Sequence, residues 1–444
     1  MKVTAIIAEY NPLHSGHVTH IGAAKRETGA DRIISVMSGD YVQRGAPAII
    51  SKYERARSAL MSGADLVLEL PLCYSTGSLD YFSEGAVSLI QKTGVAGCIS
   101  FGSECGDISI LKEAADLTSS LDGMQRDELK KLLSEGMSYS IAINSVIDLP
   151  DHIKDLLGTP NNLLAVSYIR AARKLSFNCE FHTVKRTGAA YHDDSTGAVS
   201  STSIRKDILA ERDYYSGIKG IPYDMNDGLS LHKILSGRIP DDVKDSLLDH
   251  LKGYPALCED DFSLLLFYRL QSVVDSSSTS EDAIRSLTSF LDVSSALAGR
   301  IMNMYMHAPS FSALCDELKS RDLNRSRISR ALMHILLSVK RDIVDEYIGD
   351  GYNYYIKPLG FLRSSSDLLH MIKDRTCVPI ISKNADAASI LKAHYDPASS
   401  MYSGALRMFR EGISAGDLYN KTACSICRRP FISEYERSPV IISS

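Results

Sequence analysis

Apolar positions divide the chain in two. Up to about residue 205, short apolar runs of strand length alternate with stretches whose apolar residues recur every three or four positions. This predicts strands over 3–8, 32–37, 66–70, 97–101 and 179–184, and helices over 17–28, 52–62, 83–92, 109–120, 125–135, 138–148 and 163–175. Such alternation is the pattern of an α/β fold with a Rossmann-like, doubly wound parallel sheet. From about residue 221 the strand spacing disappears. Helical periodicity there predicts 229–236, 241–251, 260–274, 281–290, 294–304, 310–318, 325–344 and 387–393, so a mostly α-helical C-terminal domain over 221–444 is expected after an α/β domain over 1–220. Two β-like runs, 352–362 and 377–382, suggest a small appended α/β element, and the last thirty residues carry no clear pattern.

In a doubly wound sheet ligands lie beyond the carboxyl ends of the strands, so the loops after Ala8, Met37, Leu70, Phe101 and Val184 are expected to surround one pocket. The first of these loops is the most informative. The run Ile7-Ala8-Glu9-Tyr10-Asn11-Pro12-Leu13-His14-Ser15-Gly16-His17-Val18-Thr19-His20 leaves a strand, turns at Asn-Pro and opens a helix. A helix mouth offers free N–H groups and a positive dipole end, and is therefore an anion site. His14 and His17 sit there, each able to donate a hydrogen bond to a phosphate oxygen and, if protonated, to offset developing negative charge.

Later loops add candidates. Asp40, three residues beyond a strand, is expected to hold magnesium or orient the attacking group, against the alternative of an Asx turn. Gly102 leaves room for an adenine or ribose against the backbone. Of Asn161 and Asn162, one is expected to cap the following helix and the other to keep a free carboxamide. Arg186, after Lys185 and before Thr187, offers a planar donor fork to a phosphate or base. The small polar residues from Ser195 to Ser203 read as a flexible loop ending at another helix start, with Arg205 just beyond it.

Charge narrows the partners. The 444 residues carry 49 Lys and Arg against 54 Asp and Glu, a net charge of −5, which excludes a uniformly basic nucleic-acid binder. A local footprint for an RNA backbone is expected where Lys319, Arg321, Arg325, Arg327, Arg330, Lys340 and Arg341 crowd one helix and its approach, diluted by Asp316, Glu317 and Asp322. Nine scattered cysteines, an odd number without a secretory leader, lead us to expect reduced thiols in the cytoplasm. Cys424 and Cys427 are at most half of a zinc site. No apolar run approaches the ~20 residues of a membrane span.

The segment Asn11-Pro12-Leu13-His14-Ser15-Gly16-His17 resembles the HxGH signature of the nucleotidyltransferase superfamily. Ser200-Ser201-Thr202-Ser203-Ile204-Arg205 resembles its second signature, the counterpart of the mobile KMSKS loop of class I aminoacyl-tRNA synthetases. With Glu9-Tyr10-Asn11-Pro12, Met37 to Gly45, Gly63 to Pro71, Phe101-Gly102-Ser103-Glu104 and Pro160-Asn161-Asn162, the ordered set is similar to the tRNA(Met) cytidine acetate ligase family. The resemblance implies ATP as cosubstrate with magnesium, acetate activated as acetyl-adenylate, and acetyl transfer to the wobble cytidine of elongator methionine tRNA. By the same resemblance residues 7–20, Gly102, Asn162, Arg186, Thr187, Ser201 and Thr202 bind ATP, and His14, His17, Asp40 and Arg205 serve catalysis. Arg325, Arg327 and Arg330 are the expected tRNA contacts. Two alternatives share part of this chemistry: a small-molecule nucleotidyltransferase acting on a phosphorylated acceptor, and a non-catalytic tRNA-binding protein. The oligomeric state is not legible, and no activated Ser, Cys or Lys nucleophile is recognisable, which argues against a covalent enzyme intermediate.

Overall fold

The computed structural model describes residues 1–135, 137–186, 200–219, 229–320 and 323–443. Its frame is a seven-stranded sheet in the order β7-β6-β1-β2-β5-β8-β9, with β1 Val3–Ala8, β2 Arg32–Ser38, β5 Leu66–Leu70, β6 Cys98–Ser103, β7 Glu180–Lys185, β8 Pro358–Leu362 and β9 Val440–Ile442; β3 (Tyr41–Val42) and β4 (Ala46–Pro47) form a separate small hairpin. The first five strands of the sheet run parallel, with Val3 opposite Arg32 and Thr4 opposite Cys98. Strand order reverses between β1 and β6, so the crevice that accepts ligands in such sheets opens beyond their carboxyl ends.

Helices α1 (Ser15–Thr28) and α2 (Lys52–Met61) cover one face of the sheet. The segment 229–253 packs onto them, and Ile21, Ala24, Ala56 and Leu60 share a core with Leu235, Leu247 and Leu251. Helices Leu79–Lys92 and Pro160–Lys174 cover the opposite face. A third core, from Leu257 to Ile335 with Tyr41 and Tyr419, is built mostly by helices. No described helix is long and apolar enough to cross a membrane. The domain boundary expected at residues 220 and 221 lies outside the described residues.

Three expectations for the second half change. The β-like run near Pro358 is not an appended element: β8 pairs antiparallel with β5, and β9 from the far end of the chain pairs with β8. The helix expected over 325–344 is two, Arg325–Leu337 and Arg341–Gly349. Ser338 adopts a left-handed φ of 59° and ends the first, while the buried His334 is tied to the carbonyls of Leu291 and Thr76. The 28-residue helix Ser400–Cys427, unanticipated, runs through Gly404, Gly412 and Gly416. Glycine weakens a helix on its own, yet a Cβ at Gly404 would stand 2.6 Å from the Tyr354 hydroxyl and one at Gly416 2.6 Å from Glu434 Cγ, so close packing requires two of them.

Candidate active site

His14 and His17 form a reciprocal cap on α1. The His14 Nδ1 accepts a hydrogen bond from the Gly16 amide (3.1 Å), and the His17 Nδ1 accepts one from the His14 amide (3.2 Å). The rings lie 3.9 Å apart, centroid to centroid, with Tyr10 edge-on to His17 at 5.2 Å. Gly16 is required by this packing, because a Cβ there would stand 2.9 Å from His14 Cε1. Two Nδ1 acceptors fix both rings as Nε2–H tautomers when neutral. Among the described residues no partner occupies either Nε2, so two N–H donors remain for an anion at the helix mouth.

Both rings are neutral at physiological pH. Burial pulls His14 down to about 4, aided by the charges of Arg186 and Arg238, and burial with His14 and Arg186 holds His17 well below the ordinary imidazole range. This corrects the sequence-based option of protonated imidazoles: the positive charge at the mouth comes from arginine and the helix end, and the histidines act as dipolar donors. His20, one turn further, is likewise drawn down to about 4 by burial and His182. Its Nε2 meets Ser100 Oγ (3.0 Å), which meets His182 Nδ1 (3.0 Å), whose Nε2 meets Glu27 (3.0 Å). His20 is therefore engaged beneath α1.

The second signature docks on the first. Helix Ser201–Lys219 begins against the Asn11-Pro12 turn, where Ser201 Oγ donates to the Pro12 carbonyl (3.1 Å) and Arg205 donates to the Asn11 carbonyl (2.6 Å) and Thr202 Oγ1 (3.1 Å). Ser15 and Val18 lie in the first turn of α1, and Thr19 Oγ1 donates to the Ser15 carbonyl. Ile7, Ala8 and Glu9 at the end of β1 are partly open, and Glu9 accepts from the Gln43 amide. Tyr10, Asn11 and Leu13 turn their side chains inward: Tyr10 meets Ser35, and Asn11 accepts from the Ile49 amide.

Sequence reasoning missed Arg55. Fully buried on α2, its guanidinium donates to the carbonyls of Glu9 (2.7 Å), Ser38 (3.1 Å), Gly39 and Ile50 (3.2 Å), tying the loops after β1 and β2 together. Nothing in its local pattern distinguishes it from an exposed helix cation.

On the other side, Arg186 leaves β7 with its stem over Gly102, where a Cβ would sit 3.4 Å from Arg186 Cγ. Thr187 lies outside the described residues. Neither asparagine caps its helix: Thr159 takes that position. Asn162 Oδ1 accepts from the amides of Glu104 (2.9 Å) and Cys105 (3.1 Å), and its Nδ2 donates to Thr159; Asn161 donates to Glu104 (2.6 Å). The expected free carboxamide is absent from this pair, because both hold the loop after β6.

Asp40 belongs elsewhere. It is 4% exposed and accepts from the Lys52 amide (2.8 Å), with the Lys52 ammonium at 3.4 Å. Lys52 also meets Glu69 (2.9 Å) and Glu434 (2.8 Å). Burial alone would strip the ammonium of its proton, yet the three carboxylates together push its pKa well above the usual lysine range. Between the loops after β2 and β5 and helix Ser400–Cys427 lies a cavity of about 20 Å³ beside Asp40, Lys52, Glu69 and Lys357, room for little more than a water. Asp40 is thus engaged with Lys52, and among the described residues no group of three His, Cys, Asp or Glu is placed to hold a metal. Cys424 and Cys427 lie at a helix end, their thiols directed to the carbonyls of Pro430 and Cys424.

The arginines of the expected RNA footprint have partners within the chain. Arg330 is 16% exposed and pairs with Asp292 at 2.8 Å, Arg327 donates to the Leu133 carbonyl across to the α/β half, and Arg325 pairs with Glu259 and Asp316, each at 3.3 Å. Burial opposes ionisation of Asp292, and Arg330 overrides it, holding the carboxyl below its usual range. Arg327 and Arg330 therefore tie this helix to other parts of the chain, while Arg325 keeps a side chain 40% exposed. Arg321 lies outside the described residues.

A profile for the HIGH Nucleotidyl Transferase family matches residues 1–429. A tRNA(Met) cytidine acetate ligase of Thermoanaerobacter sp. (strain X514) is 34% identical over 390 residues, spanning 86% of this chain and 89% of the relative. One from Caldanaerobacter subterraneus subsp. tengcongensis is 32% identical over 426 residues, 94% and 95% of the respective chains. Among solved structures, Thermotoga maritima TmcAL in its apo form aligns over the whole of both chains with a TM-score of 0.86 and 25% identity. The same protein bound with alpha-thio ATP gives 0.84 and 24%.

Proposed function

The chain belongs to the HIGH nucleotidyl transferase family and, within it, to the tRNA(Met) cytidine acetate ligases, and from that premise we propose that it activates acetate with ATP and acetylates the wobble cytidine of elongator tRNA(Met) in the cytoplasm. A carboxylate oxygen of acetate attacks the α-phosphorus as the bond to the bridging oxygen breaks, giving acetyl-adenylate and pyrophosphate. The exocyclic amine of cytidine then attacks the acetyl carbon, AMP leaves, and the nitrogen loses one proton.

One observation carries this reading: the contact of Ser201 and Arg205 with the Asn11-Pro12 turn, beside two imidazoles whose Nε2–H donors are uncommitted. Charge that develops on the α-phosphate and on the departing pyrophosphate needs preorganised donors and cations more than a nucleophile. His14 and His17 supply donors, Arg186 and Arg205 supply charge, and the α1 mouth supplies amides and dipole. Magnesium entering with ATP would ride on the phosphates, without Asp40 as ligand. Residues 1–220 carry the adenylation chemistry, and the helical remainder serves tRNA.

ATP–pyrophosphate exchange with a panel of small acids tests the proposal. Acetate-dependent exchange is expected. Exchange stimulated only by a phosphorylated acceptor would replace it with small-molecule nucleotidyl transfer, and none with any acid would leave a non-catalytic tRNA binder.

A further inference from the structure

A second cleft, remote in its lining from the histidine mouth, lies between α2, the end of helix Asp241–Gly253, helix Ser400–Cys427 and the C-terminal tail. Its volume of about 170 Å³ is far beyond what one water or a simple ion fills. Two aromatic surfaces face it. Tyr254 stacks on His250 at 5.5 Å with 19° between planes, and Tyr53 also lines the cleft, its hydroxyl donating to Glu434. Each tyrosine carries a guanidinium over its ring, Arg429 over Tyr254 at 5.5 Å and Arg437 over Tyr53 at 5.9 Å, and Arg57 stands at the rim.

Part of the polar lining is engaged, Arg57 with Glu54 at 3.5 Å and Asn420 with Glu434 at 3.1 Å, and part is not. Arg437 Nε is buried and donates no hydrogen bond among the described residues. Neither ring nitrogen of His250 meets a partner among them, and burial with the charges of Arg437 and Arg57 keeps this imidazole neutral, so it offers one donor and one acceptor. Outside the cleft the same alternation continues with Lys421 5.0 Å over the ring of Phe431, itself 38% exposed. Aromatic faces interleaved with cations, with a hydrogen-bond donor and acceptor in the same lining, are what a single-stranded nucleotide requires.

We infer that this cleft binds one unpaired nucleotide of the tRNA, its base against the aromatic wall of Tyr254 and His250 in exchange for the Arg429 guanidinium, and its phosphate held by Arg437. The inference rests on the tRNA-modifying reading, and it moves the RNA contact from the Arg325–Arg330 helix to the face built by α2 and the tail.

The test uses full-length protein, a short cytidine-containing single-stranded RNA and an elongator tRNA(Met) transcript, with acetate-dependent exchange measured in parallel. Tyr254→Ala should weaken both RNAs on the order of ten- to a hundredfold, the scale of losing one stacked base. Tyr254→Phe should restore affinity, and Arg437→Gln should lower the slope of log binding constant against log salt by about 0.7 to 0.9. Exchange should persist in all three. Cytidine monophosphate should compete only at far higher concentration than the oligonucleotide; competition at equal concentration overturns the RNA assignment. Wild-type affinity and salt slope in folded Tyr254→Ala and Arg437→Gln would overturn the inference outright. Loss of exchange in the wild-type protein would instead overturn the ligase reading, and the oligonucleotide still reports on the cleft.

Discussion

His14 carries two functions on two nitrogens, and amide substitutions separate them. Its Nδ1 caps α1 through the Gly16 amide, while its Nε2–H faces the anion site. Asparagine places its Oδ1 where Nδ1 was, keeping the cap, and has nothing at the Nε2 position. Glutamine reaches the Nε2 position with an amide donor and leaves the Gly16 amide unpaired. His14→Asn should therefore retain stability, asparagine being among the best N-caps, and lower acetate-dependent exchange by roughly two to three orders of magnitude, the loss of one preorganised donor. His14→Gln should retain more exchange and lose about 1 kcal/mol of stability, the usual value of an N-cap acceptor. Exchange kinetics and urea unfolding read the two effects independently. The pH profile supplies a second check. A ring pulled to about 4 stays neutral across the usual assay range, so wild-type exchange should be flat with respect to imidazole titration from about pH 8 to about 5.5. Wild-type exchange in a folded His14→Asn protein, or a rate that climbs as pH falls through 6.5, would refute neutral-donor catalysis.

Other expectations follow from the same geometry. Gly16→Ala drives a Cβ to 2.9 Å from His14 Cε1, so exchange should fall at least as far as in His14→Asn, with intact secondary structure by circular dichroism. Lys52→Met leaves Asp40, Glu69 and Glu434 buried without their shared cation and should cost about 3–5 kcal/mol, read as a lowered urea midpoint. Arg330→Ala strands the buried Asp292 and should destabilise on a similar scale, while the salt slope of tRNA binding stays at its wild-type value. Stability should also fall in mild acid. The folded state keeps His14 neutral to about pH 4 while the unfolded chain protonates near 6.5, so the unfolded state binds more protons between these values; stability is level above about 6.5 and declines below it, by up to about 3 kcal/mol from this ring, as thermal melts at pH 7 and 5 would measure.

The sequence by itself determined the parallel strands, their crossover helices and the strand, Asn-Pro turn and helix that form the anion mouth. These are local features: the periodicity that makes β1 and α1 lies within each element, and the Gly16 that admits the His14 ring is two residues from it. Long-range partnership was not local. His14 is neutral because Arg186 and Arg238 arrive beside a ring already stripped of water, and Asp40 leaves the phosphate site because Lys52, Glu69 and Glu434 converge on it from α2, β5 and the tail. Arg55 and Arg330 read as ordinary helix charges until the carbonyls and carboxylate they meet are known. The glycines of helix Ser400–Cys427 argue against a helix until Tyr354 and Glu434 press against it. Spacing along the chain fixes which face a residue occupies; only tertiary packing decides whether that face meets water, a counter-charge or another backbone, and with it whether a charged group recognises a ligand or holds the fold together.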